Sequence, residues 1–225
     1  MAVTLTGTPT AVTWAGGTDP TPQNVTIPGD ATAVYMLWTY WNATAGSGLS
    51  TVTLNSNSPD ETFEIVTTSA ETATGVAVWY NPSTGSQSLD VTWDASPTEG
   101  ATTIVAYVKG GETVGWRDAD AAHAQDVTAV SVTLTTVATD LVLKHDQKFC
   151  GSIPSTSTGW TSQQTQSNSS ECTKTSSADS PGASTTVCDS EDEFYSSIVA
   201  VAIKVAPAGG GISIPVVYHH RQRNA

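Results

Sequence analysis

Apolar residues recur along this chain in short runs, divided by clusters of Gly, Pro, Asn and Asp. Val52-Thr53-Leu54 and Phe63-Glu64-Ile65-Val66 alternate apolar with polar, and Asn55-Ser56-Asn57-Ser58-Pro59-Asp60 separates them. Alternation puts every second side chain on one face of an extended strand, so both runs predict half-buried strands. Two runs are apolar on both faces. Ala33-Val34-Tyr35-Met36-Leu37-Trp38-Thr39-Tyr40-Trp41 is uncharged and strand-length, and 195–205 is similar. Each predicts a strand covered from both sides. Val76-Ala77-Val78-Trp79-Tyr80 and Leu89-Asp90-Val91-Thr92-Trp93 flank Asn81-Pro82-Ser83-Thr84-Gly85, which predicts a hairpin over 76–93. Further strands are expected at 12–14, 24–27, 102–108, 127–134 and 140–144, with a loop over 112–126. No segment carries a capped helical period, so the pattern implies an antiparallel sandwich or barrel.

No strict internal repeat is read from the sequence. Residues 150–186 stand apart: Ser, Thr, Gln and Asn dominate, and Ile153 and Trp160 are the large apolar residues. This stretch is either a long decorated loop or a weakly hydrophobic hairpin. With the acidic turn that follows it forms a Ser/Thr-rich insert at 150–190. Pro207-Ala208-Gly209-Gly210-Gly211 reads as a hinge. The expected organisation is a sandwich domain over 1–206 and an extended arm over 207–225.

Composition narrows the classes. The 225 residues are 38% apolar, and β-branched Thr makes up much of the rest; Thr suits the outer face of a strand. Seven Trp argue against disorder. The net charge of −13 repels phosphate backbones, so nucleic acid is not an expected partner. No apolar stretch is long enough to span a bilayer, and no signal peptide is read at Met1, which implies synthesis in the cytoplasm. Cys150, Cys172 and Cys188 lack the spacing of a zinc site; Cys172 and Cys188 bracket a possible hairpin, and reduced thiols are expected at synthesis.

Candidate chemistry is sparse. Asp118-Ala119-Asp120 with His123 lacks the further acidic positions and the Gly of a calcium loop, and a solvated loop is expected there. The acidic run Asp189-Ser190-Glu191-Asp192-Glu193 is read as a solvated turn, with calcium as the alternative that would relieve its repulsion. No His joins a Ser or Cys in a recognisable nucleophile motif. No catalytic residue, cofactor or metal is therefore assigned. Trp38, Trp79 and Trp93 sit in strand patterns and are expected in the core. Trp116 and Trp160 fall in predicted loops, as the pair able to face a glycan.

The order of these elements resembles a jelly-roll-like β-sandwich module of tailed-phage virion proteins. The resemblance is carried by Val76 through Gly85, then Leu89-Asp90-Val91-Thr92-Trp93, Ile104-Val105-Ala106-Tyr107-Val108, Asp140-Leu141-Val142-Leu143, and the closing Ile198-Val199-Ala200-Val201-Ala202-Ile203-Lys204. It spans roughly residues 30–206, and the 150–186 stretch departs from it. The resemblance implies a virion structural role such as capsid decoration, head fibre or tail accessory. It implies the major capsid protein or another virion protein as partner, and a homo-oligomer with a trimer favoured. The arm is the expected contact: Ile212, Ile214, Val216, Val217 and Tyr218 are too apolar for a solvated tail, and Arg221 and Arg223 are two of the chain's eight basic residues. The competing expectations are a carbohydrate-binding or adhesion module and, third, a polysaccharide hydrolase.

Overall fold

The structure is a computed structural model that describes residues 3–14, 21–41, 47–66, 72–95, 100–111, 113, 115–127, 130–149, 160–168, 173–181, 185–189 and 193–206. These residues hold sixteen strands and no helix. The first half contains β1 (Thr4–Leu5), β2 (Thr10–Trp14), β3 (Gln23–Ile27), β4 (Ala33–Trp41), β5 (Leu49–Leu54), β6 (Glu61–Val66), β7 (Thr72–Tyr80), β8 (Gly85–Trp93) and β9 (Gly100–Lys109). The second contains β10 (Asp118–Val127), β11 (Ser131–Thr135), β12 (Leu141–Phe149), β13 (Thr161–Asn168), β14 (Thr173–Pro181), β15 (Thr185–Asp189) and β16 (Glu193–Ile203).

All pairings between these strands are antiparallel. In the first half β9, β4, β7 and β6 lie side by side, with β1 and β2 both on the outer edge of β9. A second sheet takes the order β3, β8, β5. Apart from β1–β2 and the adjacent β6 and β7, successive strands alternate between two facing sheets, which is a jelly-roll-like arrangement. The second half repeats the scheme. β10, β16, β12, β14 and β13 match β2, β9, β4, β7 and β6, while β11 and β15 match β3 and β8. Registers match as well: Ala33 of β4 faces both Val108 and Tyr80, and Leu141 of β12 faces both Ile203 and Pro181. Residues 150–159, between β12 and β13, lie outside the described residues.

The two jelly rolls pack back to back through their larger sheets, making four layers. One face of β4, with Val34, Met36, Trp38 and Tyr40, packs on Val25, Leu54, Leu89 and Trp93 of the smaller sheet. The other face, with Ala33, Tyr35 and Leu37, packs on Leu141, Leu143, Val199 and Val201 of the second half. Ile198, Ala200 and Ala202 then meet Val132 and Leu134 of β11. β10 lies against β6 and β7, β13 against β2, and β12 against β4. Each edge thus meets the opposite edge of the other module, a pseudo-twofold relation like that of an isologous dimer interface. The expected double burial of β4 and β16 holds: residues 34–38 and 198–202 are fully shielded from solvent. Complete burial of one such Leu or Met contributes roughly 1.5–3 kcal/mol.

Several sequence expectations change. β7 and β8 do not form the hairpin predicted over 76–93: β7 pairs with β4 and β6, and β8 with β3 and β5. The intervening turn, with Asn81 at φ 49° and Gly85 at φ 85°, carries the chain from one sheet to the other. The 112–126 segment is no loop from Asp118 onward; it is β10, whose Ala119 and Ala121 pack on the face between the modules. Of the two alternatives for 150–186, the described part forms strands, with β13 and β14 as a hairpin. The repeat invisible as sequence identity is present as topology, because pairing order survives changes that keep the apolar pattern.

Candidate functional site

The residues singled out by sequence do not converge. Residues 207–225, which include every arm position from Ile212 to Arg223, lie outside the described residues, as do Cys150 and Cys172. Cys188 is in β15, its backbone opposite Val132. Trp116 is half-buried against the apolar layer between the modules, whereas Trp160 is half-buried against the outer core of the second module. They therefore form no common platform. Trp160 covers a buried ion pair: Lys144 Nζ lies 5.2 Å from its ring centroid and 3.6 Å from Asp146 Oδ2. Trp38, Trp79 and Trp93 are buried, as expected.

The acidic positions of β10 are used structurally. Thr135 N donates to Asp118 Oδ2 at 2.7 Å, and Ala121 N donates to Asp120 Oδ1 at 2.8 Å. Burial lowers the His123 pKa. Among the described residues no three His, Cys, Asp or Glu side chains are grouped to hold a metal ion. Arg117 clamps the buried Asp140 with both Nε and Nη2, and Val137 N donates to the same carboxylate at 3.0 Å. That clamp ties the inter-module linker to the start of β12.

One polar seam is buried between the modules. Along β4, β9 and β12 the shared face is apolar at one end and polar at the other. There Thr39 Oγ1 and Thr102 Oγ1 are 2.8 Å apart, and Thr102 Oγ1 is 3.2 Å from His145 Nε2. Loss of solvent pushes the His145 pKa down to about 4. Hydrogen-bonding of this kind is what allows buried polar groups to persist in a core.

The feature with the geometry of a site is a cleft of about 400 Å³ at the end of the first module. The β5–β6 connection (Asn55, Asn57, Ser58, Asp60) forms one wall, and the β7–β8 turn (Asn81, Pro82, Ser83) with Gln87 forms the other. Leu54, Trp79 and Tyr80 supply the floor. Both walls are strapped to the sheets. Trp79 Nε1 donates to Asn57 O at 2.9 Å, Tyr80 N to Asp60 Oδ2 at 2.7 Å, and Asn81 N to Thr32 O at 2.8 Å. Asn55, Ser56 and Asn81, at φ 50°, 65° and 49°, are the positive-φ residues other than glycine among the described residues, and all three belong to these walls. Sequence reading treated both segments as strand dividers. The Asn-rich composition of 55–60 was the available signal, since Asn tolerates the left-handed region better than most residues.

Comparison with known protein families, curated proteins and solved structures returned no match for this chain.

Proposed function

We propose that the chain is a non-enzymatic structural protein of a tailed-phage particle, a capsid decoration or head-fibre protein that oligomerises on the particle surface. The observation supporting this reading is the back-to-back pair of jelly rolls. Jelly-roll modules recur in viral shells and in lectins, and doubling one within a chain makes a rigid block whose larger sheets are both covered on two sides. The step from fold to particle is an analogy of architecture, and the sequence resemblance points the same way.

Val205 bridges Gly111, and Ala206 N donates to Gly110 O at 2.8 Å, so residues 205–206 lie beside the inter-module linker. The apolar residues of 212–218, followed by Arg221 and Arg223, suit strand addition to a neighbouring subunit or docking on an acidic shell. In this reading the partner is the major capsid protein or another virion protein, the assembly is a trimer, and synthesis takes place in the bacterial cytoplasm.

Immunogold electron microscopy of source lysates is the direct test, with label expected over particle heads. Co-sedimentation of added protein with particles lacking it is the second. The full chain is expected to pellet with particles; a chain ending at residue 206 is expected to stay in the supernatant with an unchanged far-ultraviolet spectrum. Absence of label on any particle, or equal pelleting of the truncated chain, would remove the reading.

A further inference from the structure

The cleft between the β5–β6 connection and the β7–β8 turn is more elaborate than joining these strands requires. We propose that it binds a neutral saccharide unit, a role independent of whether the chain is carried on a particle.

Four observations converge. The volume, about 400 Å³, falls in the lower part of the range for small-molecule sites, roughly 300–1,000 Å³. The lining holds amides, hydroxyls and one carboxylate, Asp60, but no Lys, Arg or His. Such a wall offers donors and acceptors together, as neighbouring sugar hydroxyls require. It offers no cation to a phosphate or sulfate, which a chain of net charge −13 already repels. Leu54 and Trp79, both almost wholly buried, close the floor, and half-buried Tyr80 adds the remaining apolar surface.

The fourth observation is preorganisation. The hydrogen bonds that shape the walls use the inner groups: Asn57 Nδ2 donates to Leu54 O at 3.3 Å, Gln87 Nε2 donates to Thr84 O at 3.1 Å, and Asp60 Oδ2 accepts from Tyr80 N. The exposed amides of Asn55 and Asn81 bond to no described residue, and each sits on a backbone held at positive φ. Left-handed backbone of this kind clusters at ligand clamps, and here it presents polar groups at the lip of the cavity. Calcium fits less well. It takes six to eight oxygens, with carboxylates prominent, and the cleft holds one carboxylate with one of its oxygens already engaged.

The experiment is a titration of the full-length, nitrogen-15-labelled chain with glucose, galactose, mannose, rhamnose and N-acetylglucosamine, read by amide chemical shifts. The expected result is millimolar affinity for at least one sugar, with shifts confined to residues 54–60 and 79–87. Asn55→Gly with Asn81→Gly removes both amides yet keeps the left-handed backbone accessible, so the fold survives. That double variant is expected to bind on the order of tenfold more weakly, the equivalent of one or two hydrogen bonds. Trp160→Ala, which alters the other module, is expected to leave binding unchanged. No shift with any sugar up to about 100 mM, where even weak single-unit binding registers, would overturn the proposal. So would shifts outside the cleft, full affinity in the double variant, or the same shifts produced by calcium without sugar.

Discussion

His145 shows how a single residue is decided by its surroundings. In sequence it directly follows the strand expected at 140–144 and joins no recognisable nucleophile motif. In the fold it is completely buried between the two modules beside Thr102 and Thr39. Its pKa of about 4 lies below the unfolded value of about 6.5. Between those two values the unfolded chain binds a proton that the folded chain refuses. Stability from this group is therefore complete above about pH 6.5 and declines as pH falls toward 4, by about 3 kcal/mol in all. Urea unfolding across pH 7 to 5 is expected to show that decline, and His145→Gln is expected to flatten the contribution from this site. A slope unchanged by the substitution would mean that the ring is hydrated in solution. The two-residue period of a strand puts His145 on the face of Leu141 and Leu143, but does not say that a second sheet covers it.

Strands were the most legible elements, because a period of two and a fully apolar run are local properties. β4, β5, β6 and β16 lie close to where the pattern puts them. Their partners were not legible. The prediction that β7 and β8 form a hairpin followed from the turn between them; instead the turn lets the chain cross between sheets, and each strand finds partners far away in sequence. β10 was missed because its Ala and Asp residues carry little strand propensity, and its place comes from pairing with β16 along almost its whole length. Gly75 illustrates an element-level constraint. A methyl group there would sit 2.4 Å from Phe63 O and 2.5 Å from Trp38 Cζ2, so β6 and the Trp38 ring can pack against β7 only over a glycine. Gly75→Ala is expected to destabilise the protein by about 2 kcal/mol, seen as a melting temperature lower by about 4–8 °C in a chain of this size. An unchanged melting temperature would show that β6 moves aside without cost.

At the scale of the whole molecule the two modules are held by an apolar layer as well as by the chain. Ala33, Tyr35, Leu37, Val76, Val199 and Val201 would all be exposed if the halves separated. A protease site placed between Gly111 and Gly115, once cut, is therefore expected to leave one particle in size-exclusion chromatography, with the halves parting only in denaturant. Separation of the halves on cutting would mean that the linker, with its Arg117–Asp140 clamp, and not the layer, holds them together. The cleft belongs to this scale too: its walls come from two connections that are neighbours only because β5–β8 wrap around the first jelly roll.

The sequence by itself determined the secondary structure class, the two strands buried on both faces and the core role of Trp38, Trp79 and Trp93. All of these follow from side-chain periodicity and polarity over fewer than a dozen residues. The tertiary structure alone decided which strands pair, that the order β2-β9-β4-β7-β6 recurs in the second half, that Trp116 and Trp160 serve different cores, and that residues near 55 and 81 frame one cleft. These are matters of long-range pairing, where many registers satisfy the same alternation and only simultaneous burial of every apolar face selects one of them.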